Sequence, residues 1–193
     1  MSAQGVHRIT EEFENVIRHY TGAKYCVALD NGSSALFLSL KYYGIEGKVV
    51  EVPKHTYPSV PCEIIHAGGK VKFVDREGQP FLKGAYFLTN TMVVDSALRF
   101  SADMYIPNTY MCLSFTGPHK HLKLGKGGAI LTDDFEAYRW FKKARFSGRD
   151  ECSYHEDNFD MKPSVCGWNF YMMPEIAARG LLLMAQFYNG DEK

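Results

Sequence analysis

Short apolar runs alternate with amphipathic stretches along the first half of the chain. "ITEEFENVIRHYTG" (9–22) has apolar residues at helical spacing, with Thr10 as its N-cap and Gly22 as its stop. "KYCVAL" (24–29) reads as a strand and "DNGSS" (30–34) as a turn, and "SALFLSLKYYG" (34–44) resumes the helical period. "KVVEVP" (48–53) and "KVKFVD" (70–75) are short β-branched runs, read as strands. Between them "TYPSVPCEIIHAGG" (56–69) reads as a helix, with Pro58 and Pro61 near its start, where a missing N–H costs least. "TMVVDSA" (91–97), "YMCLSF" (110–115) and "GGAILTD" (127–133) are three further strands. "DFEAYRWFKKARFSG" (134–148) is an amphipathic helix ending at Gly148, and "MPEIAARGLLLMAQFY" (173–188) is a final apolar helix. The polar stretch 147–167 reads as a long surface loop. Strands alternating with helices predict βαβ units, hence an α/β fold with a mainly parallel sheet flanked by helices.

Composition narrows the class without changing that picture. The 193 residues suit a single unit spanning 1–193. Twenty-two basic residues balance 22 acidic ones, which gives no argument for a nucleic-acid or membrane surface. No apolar run approaches transmembrane length, and the N-terminus has no signal-peptide apolar stretch. The five cysteines (Cys26, Cys62, Cys112, Cys152, Cys166) are scattered and odd in number, which fits free thiols in a reducing compartment. The expectation is a soluble, cytoplasmic protein.

Three places carry candidate chemistry. In "VALDNGSSALFL" a strand meets a glycine turn and then a helix starting with Ser33 and Ser34. Such a corner offers unpaired N–H groups and the positive end of a helix dipole to an anion, and the same pattern also caps ordinary helices. Asp95 ends a four-residue apolar strand, at the sheet edge where α/β proteins bind ligands. A carboxylate there suits a protonated ring nitrogen, as pyridoxal phosphate enzymes require, and serves equally as a loop cap. The third place, "CLSFTGPHKHLKLGKGGAI" (112–130), holds three lysines, two histidines and four glycines. It is not a Walker loop, since Lys126 is followed by Gly127, nor a Rossmann fingerprint, since "GKGG" lacks the spacing. His119 and His121 share a face of an extended segment, but without a third ligand they make a weak metal site, and no metal is expected. What remains is a strand, a loop with an interior lysine and a glycine-rich return; a lysine buried beside a cofactor can lose its proton and form a Schiff base.

The order of motifs is similar to that of the DegT/DnrJ/EryC1/StrS family: "FENVIRHYTGAKYCVALDNGSSAL", "VPKHTYPSVPCEIIHAGGKVKFVD", "VVDSA", "SFTGPHKHLKLGKGGAILTDD", then "GWNFYMMPEIAARG". The resemblance covers most of residues 12–185 and implies the large domain of a fold-type I pyridoxal 5'-phosphate transferase, mostly nucleotide-sugar aminotransferases. It implies that Lys120, counted back from Gly125–Gly128, is the Schiff-base lysine and that Asp95 pairs with the pyridinium nitrogen. Gly32, Ser33 and Ser114 would bind the cofactor phosphate, and Tyr57 would stack on the pyridine ring. Asn169 would reach the phosphate of a neighbouring subunit, which implies a homodimer with composite sites, using a nucleotide-sugar and an amino donor. The chain departs from the family pattern in several places. Only "REGQPFLKGAYFLTN" stands where the family has another βα unit, and Leu98 replaces a usual polar side chain. One extra residue precedes Lys120. The family's N-terminal segment is missing, and the chain stops at Lys193, where the family's small C-terminal domain would begin. The resemblance therefore implies an aminotransferase of reduced activity. The alternatives are a non-catalytic dimeric scaffold or partner protein of the same descent and, less favoured because a lysine is present, a related lyase or dehydratase.

Overall fold

The computed structural model of the chain describes residues 4–75, 84–150 and 165–188. Twelve elements follow in order: α1 (Gln4–Thr21), β1 (Tyr25–Leu29), α2 (Gly32–Tyr43), β2 (Val49–Pro53), α3 (Ser59–His66), β3 (Lys70–Val74), β4 (Tyr86–Phe87), β5 (Val93–Asp95), β6 (Tyr110–Ser114), β7 (Gly128–Thr132), α4 (Phe135–Ala144) and α5 (Pro174–Tyr188). The stretch 147–167, expected as a surface loop, lies for the most part outside the described residues, as does Cys152.

The sheet is mixed, which corrects the expectation of a mainly parallel one. Five strands pair in the order β1-β7-β6-β5-β4, and β2 pairs with β3. Within the five, β5–β6 is parallel, whereas β1–β7, β6–β7 and β4–β5 are antiparallel. The connections explain this. A parallel neighbour needs a long crossover, whereas a direct return gives an antiparallel one. β6 returns into β7 through a loop without a helix, and β4 turns into β5 through Asn90, at φ 66°. β2 and β3 are joined by α3 and are parallel. A lone bridge, Glu51 to Thr89, links β2 to the turn after β4.

Alternation along the strands splits the core into two layers. Cys26, Ala28, Met111, Leu113, Ala129 and Leu131 face α1 and α5. Val27, Leu29, Cys112 and Ile130 face α2, α3 and α4. Helix α1 starts six residues before Thr10, so Thr10 is not its N-cap. Thr10 instead belongs to the buried stripe Thr10, Phe13, Glu14, Ile17, Tyr20 and Thr21, whose spacing is that of one helix face. Helix α2 is buried from Ser34 to Leu40, because it lies between the sheet and α3. Burial pushes the thiols of Cys26 and Cys112 well above their usual range, which makes them inert core residues, and Cys62 and Cys166 are free and exposed.

Among the described residues the outer edge of β1 has no strand beside it in the sheet, and several of its polar groups find other partners. Glu14 accepts the Ala28 N–H at 2.8 Å, and Arg145 donates to the Ala28 carbonyl at 2.5 Å. Arg145 and Glu14 also pair with each other, and Lys142 reaches Glu14 at 3.3 Å. Further along, Asp30 donates its N–H to Phe170, and Leu29 bridges to Tyr171. Two side chains and an extended segment thus stand where a sixth strand would be. Among the described residues no helix is long and apolar enough to cross a membrane.

Candidate active site

Register brings the first cluster together. Leu29 lies opposite Gly128, and Gly128 opposite Ser114, so the three form a row across β1, β7 and β6. Immediately past Leu29 the chain turns into α2. Asn31 caps that helix, its side chain accepting the Ser34 N–H at 2.8 Å. The backbones then meet closely. A Cβ on Gly128 would lie 2.4 Å from the Asn31 carbonyl carbon and 2.6 Å from the Gly32 nitrogen. A Cβ on Gly32 would lie 2.8 Å from Cβ of Ser114 and 3.2 Å from its Oγ. Neither position admits a side chain without moving backbone. The result is a cradle made by the Ser114 hydroxyl and the first turn of α2, which includes Ser33, at the positive end of the helix dipole.

The second cluster is built on Asp95, which is 6 % exposed at the end of β5. Its Oδ1 accepts the Ala97 N–H at 3.0 Å, and its Oδ2 accepts the Tyr86 hydroxyl at 2.9 Å. Lys120 arrives from the β6–β7 loop, which is anchored by buried Leu122 and Leu124, and its Nζ donates to the Ala97 carbonyl at 2.8 Å. Lys123 and Lys126 in the same loop are exposed. Burial pushes the Asp95 carboxyl above the usual carboxylate range, opposed by its hydrogen bonds from Tyr86 and Ala97 and by the Lys120 charge. Burial pulls the Lys120 ammonium below the usual lysine value, opposed by Asp95. Each charge therefore offsets part of the other's desolvation.

Two expected residues stand apart from these clusters. Tyr57 is 74 % exposed on the turn before α3, and among the described residues no hydrogen bond or ring contact joins it to Asp95 or Lys120. Asn169 is exposed in the extended segment beside β1, its backbone bridged to Phe146. Leu98 is also open, at 57 % exposure. His119 and His121 are exposed, and the described residues hold no group of three or more His, Cys, Asp or Glu able to bind a metal. Sequence reading missed Tyr86 and Thr56. The signal was present: "YF" and "VVD" flank the turn "LTNTM", a hairpin pattern that puts Tyr86 opposite Asp95.

These groups fit pyridoxal phosphate. The cradle offers a hydroxyl and helix-start amides to a phosphate, and Asp95 is a buried acceptor for a ring N–H. Lys120 is a half-buried amine beside that acid. Gly128→Ala tests the cradle. The added methyl meets backbone, which cannot rotate away, so α2 must shift at its start. We expect cofactor affinity to fall at least about tenfold and stability by about 1–3 kcal/mol, read by equilibrium titration and urea unfolding.

Known proteins share the sequence pattern and the fold. Residues 5–83 match the sequence model of the DegT/DnrJ/EryC1/StrS aminotransferase family. The dTDP-3-amino-3,4,6-trideoxy-alpha-D-glucose transaminase of Micromonospora megalomicea subsp. nigra is 25% identical over 190 residues, covering 75% of this chain and 49% of its own length. The chain thus spans about half the length of that relative. In three dimensions the chain resembles 3-amino-5-hydroxybenzoic acid synthase, with TM-score 0.76 at 19% identity over 94% of this chain and 56% of that one. It also resembles the PLP form of Spr1654 from Streptococcus pneumoniae, with TM-score 0.73 at 19% identity over 94% of this chain and 60% of the other. The α/β fold implied by the motifs is therefore the fold observed, with a mixed sheet, and residues 5–83 carry the sequence pattern of the DegT/DnrJ/EryC1/StrS aminotransferase family.

Proposed function

We propose that this chain binds pyridoxal 5'-phosphate and works as an aminotransferase on a keto-sugar nucleotide, with an amino acid as amino donor. The observation that carries the reading is the juxtaposition of Lys120 with Asp95: Lys120 Nζ donates to the carbonyl of Ala97, whose N–H in turn binds Asp95. When bound, the cofactor supplies an electron sink for the carbon next to the transferred amine. The chain's own residues do the rest. Ser114, Gly32 and Ser33 hold the phosphate. Asp95 accepts the ring N–H and keeps that proton on the nitrogen. Lys120, its proton affinity lowered by burial, would hold the cofactor through its amine and would carry a proton at Nζ. Tyr57 would stack on the ring from the exposed turn, and Asn169 of a second copy would complete the phosphate site, giving a homodimer with composite sites that would act in the cytoplasm.

Cofactor binding is separable from turnover in this reading. The cofactor-holding groups lie among the described residues, whereas fast transfer also draws on remote contacts to the substrate that fix its geometry. The protein should therefore turn yellow with pyridoxal phosphate and be bleached by borohydride, while its spectrum changes slowly on addition of glutamate. Folded protein that stays colourless at saturating cofactor would refute the reading. A monomer by light scattering that still binds tightly would refute the composite site.

A further inference from the structure

Tyr86 belongs to none of the motifs that placed the other site residues. It sits on β4, in the short hairpin strand that precedes β5, directly opposite Asp95. Its hydroxyl is 2.9 Å from Asp95 Oδ2 and 2.5 Å from Thr56 Oγ1. An ionised carboxylate only accepts, so the single phenolic proton goes to Asp95. Thr56 must then be the donor to the Tyr86 oxygen. The hydrogen bonds run one way, from Thr56 to Tyr86 to Asp95, and a chain of this kind strengthens its last link.

We propose that Tyr86 is a positioning residue for Asp95: its hydroxyl, held by Thr56, fixes the Oδ2 end of the carboxylate and keeps it an acceptor. The Ala97 N–H fixes the Oδ1 end at 3.0 Å. With one donor on each oxygen, the carboxylate plane cannot turn, and each oxygen retains a lone pair for an incoming donor. The other groups facing Asp95 do not replace Tyr86. Lys120 donates to the Ala97 carbonyl rather than to the acid. Cys112, paired with Asp95 across β5–β6, has a thiol that burial keeps neutral, and it contacts Ser39. The donations from Tyr86 and Ala97 oppose the burial that favours a protonated Asp95. The relay also reaches the turn that carries Tyr57, since Thr56 is its neighbour in sequence. The acid and the stacking residue of the proposed site are thereby tied through one phenol.

This inference deepens the pyridoxal phosphate reading but is measured first without the cofactor. In cofactor-free protein, the Asp95 carboxyl is titrated by carbon-13 NMR, its signal assigned by its loss in Asp95→Asn. Tyr86→Phe keeps the ring and removes the hydroxyl, and should raise the Asp95 midpoint by about one pH unit. Thr56→Val should raise it by less. The double variant should match Tyr86→Phe, because both changes break one relay. Unchanged midpoints in both single variants would overturn the proposal, and Thr56→Val alone decides it if Tyr86→Phe does not fold. The second measurement is the pH dependence of pyridoxal phosphate affinity. Affinity should fall on the acid side as Asp95 protonates, and in Tyr86→Phe this fall should begin about one unit higher. If the NMR midpoint moves but the affinity profile does not, the positioning role is wrong. If the wild type binds no pyridoxal phosphate, the functional reading fails while the NMR result still decides the relay.

Discussion

Lys120→Ala will abolish the borohydride-reducible yellow species, whereas Lys123→Ala and Lys126→Ala will retain it. The three lysines lie within seven residues of one another, yet the loop separates them by environment. Leu122 and Leu124 turn into the core between β6 and α5, and they fix the loop so that Lys120 reaches the Ala97 carbonyl beside Asp95. Only a neutral amine attacks a carbonyl. Burial lowers the proton affinity of Lys120, so at a given pH more of it is neutral than of an ordinary surface lysine. Covalent attachment should rise with pH through that depressed value and level off above it, sooner than free lysine would. Loss of the lysine removes both the covalent bond and the proton carrier, so any turnover should drop by about 100-fold to 10,000-fold. Peptide mapping after reduction checks the site directly, and a label found on Lys123 would sink the assignment.

Arg145→Met should be the most destabilising single change away from the site, by about 3–5 kcal/mol. Arg145 is 1 % exposed and donates to the Ala28 carbonyl and to Glu14. Removing it leaves a backbone carbonyl without that donor, and a buried carboxylate that keeps the Ala28 N–H and Lys142 but loses its guanidinium. The penalty is that of a buried charge left only partly compensated more than of a lost attraction. Converting Glu14 to Met as well should therefore restore part of the stability, although the edge of β1 stays unsatisfied. Urea unfolding of the two single variants and the double separates these effects. A double variant as unstable as the sum of the singles would contradict the account.

Much of this molecule was legible in its sequence, for identifiable reasons. The long helices announced themselves by period, and β1, β6 and β7 by short apolar runs bounded by turn residues. Asp95 could be singled out because it ends a short apolar strand, whereas Ser114, Gly32 and Lys120 were named through the resemblance of their motifs to the family's. Strand direction was not legible. It depends on whether a connection packs a helix or simply returns, and the β6–β7 loop is long enough to suggest either. Thr10 looked like a cap because a cap and a buried helical threonine share the same local sequence. Tyr86 stayed hidden for another reason. A two-residue strand has no period, and the significance of its phenol appears only when β4 is paired with β5. Tyr57 and Asn169 were named by analogy, and both are exposed in the isolated chain.

The pairing of β1 with β7 also has a consequence for how the chain comes to be folded. Tyr25 lies opposite Thr132 and Leu29 opposite Gly128, so β1 gains its ladder with β7 once synthesis has passed residue 132. Until then the emerging segment can close the local β2–α3–β3 unit but has no partner for its most apolar strand. The entropy of closing so long a loop is incurred before the contacts that reward it, which makes this step slow. Val27, Leu29 and the apolar surface of α2 stay exposed for that interval. A ribosome-bound chain halted short of β7 therefore presents a sticky, half-built face, the kind of surface on which chaperones act.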